Sequence, residues 1–159
     1  LEFRRVLFRS VSDIPEGKNV ASEEILTMDC DLLIPAALGG VINDTNHEKI
    51  QSKIIVEGAN QPLTLQADQA LQKRGVVVVP DILANAGGVM GSYFEWTQNI
   101  QEFRWPIERF RNELDTRMKI AFDSVWEASN KFGTDLRTAA FIVSVERVAT
   151  AFKLRGDLL

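Results

Sequence analysis

Three short apolar runs punctuate the first half of the chain, LLIP at residues 32–35, IIVE at 54–57 and VVVVP at 76–80. None alternates apolar with polar positions, which is the pattern of strands buried on both faces of a sheet. Between them the spacing turns helical. Thr64 is placed to cap a helix that reaches Arg74, with Gly75 as its left-handed stop, and Asn43 or Asp44 to cap one that reaches Ile50. Ser22, with Glu23 and Glu24 behind it in a first turn, is placed to cap a short helix ahead of the first strand. Strand, helix, strand, helix, strand, with strand starts about 22 residues apart, predicts right-handed βαβ crossovers and a parallel sheet.

Beyond Asn85 the pattern is helical throughout. Residues 87–99 read as one helix. Pro106 suits a first helical position, and Ile107, Phe110, Leu114, Met118, Phe122 and Val125 then mark one face of a long helix that Gly133 breaks. Thr134 or Asp135 caps a last helix in which Leu136, Ala140, Val143 and Val148 are expected to face inward, and Gly156 closes it. The expected class is α/β, part of a doubly wound parallel sheet over residues 11–99 followed by a C-terminal helical segment over 100–159.

Composition narrows the function. The chain has 159 residues, 45% of them hydrophobic and 25% charged, with a net charge of −4. It has enough apolar material for one core, and the interspersed charges leave no footprint for a nucleic-acid backbone. No run approaches the roughly 20 apolar residues of a membrane-spanning helix, and no secretory signal is evident, so no membrane partner and a cytoplasmic setting are expected. With Cys30 and His47 the only residues of their types, neither a Cys/His metal site nor a serine or cysteine hydrolase is expected. Residues 1–10 differ in composition, with Arg4, Arg5 and Arg9 against the single Glu2. They are either a foreign leader or a natural basic strand, and are set aside.

In an open parallel sheet, ligands bind beyond the carboxyl ends of the strands. The three ends here run into Pro35-Ala36-Ala37-Leu38, Glu57-Gly58-Ala59-Asn60 and Pro80-Asp81, the last leading on to Asn85 and Gly87-Gly88. Small residues let a flat ring or a sugar approach the backbone, and an asparagine amide offers donors and acceptors to ribose hydroxyls or a carboxamide. Each asparagine alone is more often a turn residue. Their recurrence at consecutive strand ends, beside Gly and Ala, favours a ligand site. Gly87-Gly88 at a helix start resembles an anion cradle, with Ser92 a turn later able to bond the same anion or, alternatively, its own backbone. The pyrophosphate turn G-x-G-x-x-G and the Walker A sequence are both missing, so a complete dinucleotide site cannot be built from these residues.

The strings IPAAL (34–38), KIIVEGAN (53–60), VVPDILANAGGV (78–89), SYFEW (92–96) and DLRTAAF (135–141) together resemble the C-terminal part of glutamate dehydrogenase, within the Glu/Leu/Phe/Val dehydrogenase family. The resemblance spans roughly residues 11–156 and leaves 1–10 unmatched. It implies a Rossmann-like domain, hydride transfer to or from NAD or NADP, and interconversion of L-glutamate with 2-oxoglutarate and ammonium by a homo-oligomer, usually a hexamer. Carried over by position, it assigns cofactor contacts to Ala36, Ala37, Asn60 and Asn85. It assigns substrate contacts to Val89 and to Ser92, which would bond the side-chain carboxylate of glutamate. The acid/base lysine and aspartate and the Gly-rich turn would lie in an upstream part, so none of these residues is catalytic and no activity is expected from them alone. Three positions depart from the family: Gln61 replaces a usual glycine, Leu65 a common proline, and Gly91 a β-branched residue. A branched-chain or aromatic amino-acid dehydrogenase fragment, or a non-catalytic nucleotide-binding module, are the alternatives.

Overall fold

Strands β1 (Leu32–Leu33), β2 (Ile54–Val56) and β3 (Val77–Val79) lie side by side in that order, all parallel, with Leu32 opposite Ile54 and Ile54 opposite Val77. The structure is a computed structural model that describes residues 17–156, so the segment 1–10 and the start of the 11–99 region lie outside the described residues. Side chains alternate along a strand. Leu33, Ile55 and Val78 therefore leave one face together, and they are buried with Ile42, Ile50, Leu63, Ala67 and Leu71 as the main core.

Helix α2 (Leu65–Lys73) covers that face and carries the chain from β2 to β3, as its pattern predicts. Thr64 caps it by accepting from the Ala67 amide at 3.2 Å, and Gly75 takes φ +80° beyond its end. Two other helix starts differ from expectation. Helix α1 (Ser22–Leu26) begins one residue early, with Ala21 rather than Ser22 at the cap. The helix expected from Asn43 or Asp44 shrinks to a 3₁₀ turn at His47–Lys49. The Asn43 carboxamide accepts from the Thr45 amide at 3.0 Å and from its hydroxyl at 2.7 Å, and Asn46 accepts from the Asn43 amide at 2.8 Å. These local bonds offer the backbone an alternative to a helix, and here they win.

After β3, the short α3 (Asp81–Ala84) breaks at Asn85 into α4 (Ala86–Gln101), followed by α5 (Ile107–Phe132) and α6 (Leu136–Arg155). Gly133, at φ +60°, turns α5 into α6, and the Asp135 side chain caps α6 through the Thr138 amide at 2.9 Å. These two helices pack on each other and on β3 through a second core of Leu83, Val125, Ala128, Leu136, Ala139 and Ala140. Val148, expected inside, is instead 70% exposed on the outer part of α6.

The strands, whose pattern is that of burial on both faces, are covered on one face only among the described residues. Leu32, Ile54 and Val77, which leave the face opposite the main core, are 48%, 41% and 46% exposed, and Ile34 continues the same open surface. The apolar runs that suggested burial on both sides are present, but only one side has a covering layer among the described residues. An exposed apolar sheet face of this kind drives association. A polypeptide of these residues alone is expected to sediment as species larger than a monomer; a monodisperse monomer with a cooperative thermal transition would contradict this.

Candidate functional site

The strand ends are held level by backbone bonds that continue past the strands themselves. The Glu57 amide donates to the Val79 carbonyl at 3.0 Å, and the Ala59 amide to that of Pro35 at 2.9 Å. Ala36 comes so near β2 that a Cβ built on Gly58 would lie 2.9 Å from the Ala36 Cβ. Only a glycine admits that approach. Ala36 and Ala37 both remain exposed on the β1 side of the crevice.

Asn60 and Asn85 meet directly. The Asn85 Nδ2 donates to Asn60 Oδ1 at 2.7 Å and lies 3.4 Å from the Gly58 carbonyl oxygen. Asn85 occupies the junction of α3 and α4, at φ −98° and ψ 3°, where neither helix claims its side chain. This pairing uses one donor and one acceptor. Among the described residues, Asn60 Nδ2 and Asn85 Oδ1 have no partner, so the pair offers a fixed donor beside a fixed acceptor. That is a match for a carboxamide or for adjacent hydroxyls.

Val89 and Ser92 follow Asn85 by four and seven positions, which sets them on one face of α4. Val89 is 77% exposed; the Ser92 hydroxyl donates to the Gly88 carbonyl at 3.1 Å, its own helix backbone. The neighbouring Gly91 has a packing reason. A Cβ there would lie 3.3 Å from Phe110 Cζ, so the ring of α5 occupies the space that a β-branched side chain would need.

Behind the amide pair lies a charged cluster that the sequence reading missed. Arg137, in the first turn of α6, donates through Nη2 to Glu57 Oε1 at 2.8 Å and through Nε to Asp68 Oδ2 at 2.7 Å, and its Nη1 is 3.5 Å from Asp81 Oδ1. Glu57 is fully buried. Its second oxygen accepts from the Asp81 amide at 2.7 Å, and Asp81 in turn accepts from the Gln61 amide at 2.8 Å. Burial of Arg137 works against its charge, yet hydrogen bonds to Glu57 and Asp68, with their Coulombic attraction, hold its pKa above the ordinary arginine value. Two signals were present in the sequence: a glutamate ending an apolar strand, and an arginine where the helix dipole disfavours a cation. An open cleft of about 530 Å³ adjoins the cluster, lined by Gly39, Gly40, Gln61 and Arg137, with Asn60 on its wall as well.

A family model described as Glutamate/Leucine/Phenylalanine/Valine dehydrogenase matches residues 3–156, which takes in most of the segment set aside in the sequence reading. The glutamate dehydrogenase of Thermotoga maritima is 50% identical over 147 residues, covering 92% of this chain and 35% of its own length. The NADP-specific glutamate dehydrogenase of Saccharolobus shibatae is 51% identical over 151 residues, covering 94% and 36%. This chain thus spans about a third of the length of these relatives. Among solved structures, the hetero-hexameric glutamate dehydrogenase from Thermus thermophilus, in its Leu-bound form, aligns over 100% of this chain and 38% of its own, with a TM-score of 0.87 at 32% identity. L-tryptophan dehydrogenase from Nostoc punctiforme aligns over 84% of this chain and 38% of its own, with a TM-score of 0.67 at 25% identity.

Gln61 has φ +48°, the left-handed region, and is fixed there by Asp81 and by the Gly40 amide, which donates to its carbonyl at 2.8 Å. A glycine at this position would adopt that conformation without the cost of roughly 1–2 kcal/mol that a side chain brings. Part of the gain is lost to the freer unfolded chain. Gln61→Gly is therefore expected to raise the unfolding free energy by about 1 kcal/mol, read from the shift of a urea midpoint at constant slope.

Proposed function

Because the chain belongs to the Glutamate/Leucine/Phenylalanine/Valine dehydrogenase family, we propose that it is the cofactor-binding and C-terminal portion of a glutamate dehydrogenase. The enzyme would interconvert L-glutamate with 2-oxoglutarate and ammonium, with NAD or NADP as the hydride carrier. The observation that carries the reading is the Asn60–Asn85 amide pair, 2.7 Å apart across two consecutive strand ends.

The residues fit one end of such a cofactor. Ala36 and Ala37 leave room beside the β1 end, Asn60 Nδ2 donates and Asn85 Oδ1 accepts, which suits a nicotinamide carboxamide or its ribose hydroxyls. When bound, the nicotinamide ring supplies the two-electron acceptor. The pyrophosphate cradle would come from polypeptide outside these residues, since no Gly-rich turn of that spacing occurs here. Val89 and Ser92 would meet the amino acid. For this the Ser92 hydroxyl exchanges its bond to the Gly88 carbonyl for one to a carboxylate, a stronger acceptor because it is charged.

The lysine and aspartate that the resemblance implies for proton transfer would lie outside the chain, so these residues would not turn over substrate unaided. On the same reading the complete enzyme is a cytoplasmic homo-oligomer. A branched-chain or aromatic amino-acid dehydrogenase remains the nearest competing reading, and substrate preference separates the two.

The test uses the polypeptide completed to the length of its relatives, assayed with glutamate, leucine and phenylalanine against NAD and NADP. Glutamate is the expected preferred substrate, and preference for leucine or phenylalanine overturns that choice. Asn85→Ala removes an acceptor for the nucleotide and is expected to raise the nucleotide KM about tenfold, the equivalent of one hydrogen bond of roughly 1.4 kcal/mol. A nucleotide KM unchanged by Asn85→Ala would remove the amide pair from the site.

A further inference from the structure

We propose that Arg137 is a positioning residue for the nucleotide crevice, acting through Glu57 and Asp81 to set the spacing of the Asn60–Asn85 pair. The inference rests on the function proposed above and concerns the same site.

The connections are continuous and short. Arg137 fixes one oxygen of Glu57 at 2.8 Å, and the other oxygen of Glu57 holds the Asp81 amide at 2.7 Å. Asp81 opens α3, whose next residue after its last turn is Asn85. The Asp81 carboxylate also holds the Gln61 amide at 2.8 Å, and Gln61 adjoins Asn60. Both members of the amide pair are thus anchored from behind by one carboxylate residue, and that residue is located by the glutamate that Arg137 orients. A third contact, Nη1 to Asp81 Oδ1 at 3.5 Å, closes the loop.

Stability alone does not explain the arrangement. Buried ion pairs commonly stabilise a fold no better than apolar side chains of the same size, because desolvation offsets the attraction. Arg137 moreover sits at the positive end of the α6 dipole. What an arginine gives here, and a hydrocarbon does not, is a planar fork that fixes two acceptors at defined angles. One arm of the fork leads to the crevice through Glu57. The other goes to Asp68 on α2, which lines the adjoining cleft but whose side chain otherwise bonds only Gln72 and neither member of the amide pair. The two arms separate the two roles.

The test is made in the complete enzyme. Arg137→Lys keeps the charge but cannot reach both carboxylates in the same geometry, and the nucleotide KM is expected to rise about tenfold or more while the glutamate KM stays put, as displacement of a contact by a fraction of an ångström allows. Asp68→Asn weakens only the arm toward α2; it is expected to lower the melting temperature without moving the nucleotide KM. Should Arg137→Lys not fold, Glu57→Gln carries the same expectation, because the amide puts an NH2 donor in place of one of the two oxygens that accept from Arg137 and from the Asp81 amide. Equal thermal losses in Arg137→Lys and Asp68→Asn with an unmoved nucleotide KM, or a rise in both KM values together, would overturn the proposal. An unmodified enzyme that reduces neither nucleotide with any of the amino acids tested would instead refute the functional reading, so the two failures are told apart.

Discussion

The fork of Arg137 joins parts of the chain that lie 80 and 69 residues apart, the end of β2 and the middle of α2. Glu57 is completely enclosed, and a carboxylate in that position is tolerated only where a cation and hydrogen-bond donors meet it. Removing the cation would leave the anion uncompensated, at a cost of roughly 3–5 kcal/mol, a large part of what holds a domain of this size together. The same constraint links the two cores. The main core belongs to the sheet and α2, the second to α5, α6 and the β3 edge, and Arg137 ties α6 back to both β2 and α2. The helical segment is therefore fastened to the strand ends by charge as well as by apolar packing.

The crevice depends on that fastening. Its front is made by small residues and amides, groups that offer a ligand only fit and hydrogen bonds of modest strength. Such contacts discriminate only if their spacing is maintained before the ligand arrives. Gly58 lets the β1 end approach, Asn85 breaks the helix so that its amide can turn back, and Gln61 accepts a left-handed backbone conformation to complete the loop. That last position holds strain where the family resemblance has a glycine. A non-glycine residue in this region persists only where its surroundings over-determine it, and here Asp81 and Gly40 do so.

Much of the fold was legible because it is written in local patterns. The three apolar runs became β1, β2 and β3, Thr64 capped α2, Gly75 and Gly133 took left-handed conformations, and Asp135 capped α6. What the sequence did not disclose depends on partners distant along the chain. Periodicity says that Ile54 and Val77 are apolar, not whether another layer lies over them. The inward placing of Val148 failed for the same reason, since helical spacing defines a face but not its neighbour. The expected helix near Asn43 failed for the opposite reason, a side chain competing with the backbone over two or three residues. At the site, Asn60 and Asn85 were selected by their place after the strands. Their mutual hydrogen bond could be seen only in three dimensions, and Glu57 and Arg137 gave separate hints of the cluster but none of their pairing.

The sheet of the described residues has unpaired edges. β2 is paired on both sides, while β1 and β3 each pair only with β2 among the described residues, and of these two outer strands β3 has α6 packed against it. A further parallel strand supplied by other polypeptide would join at β1, on the side from which β1, β2 and β3 march away. A strand joined there would extend the parallel ladder, and its carboxyl end would stand beside that of β1, on the side of the sheet where ligands of open parallel sheets bind. Ala36 and Ala37, exposed past the end of β1, would then lie between two strand ends rather than at the margin of the sheet.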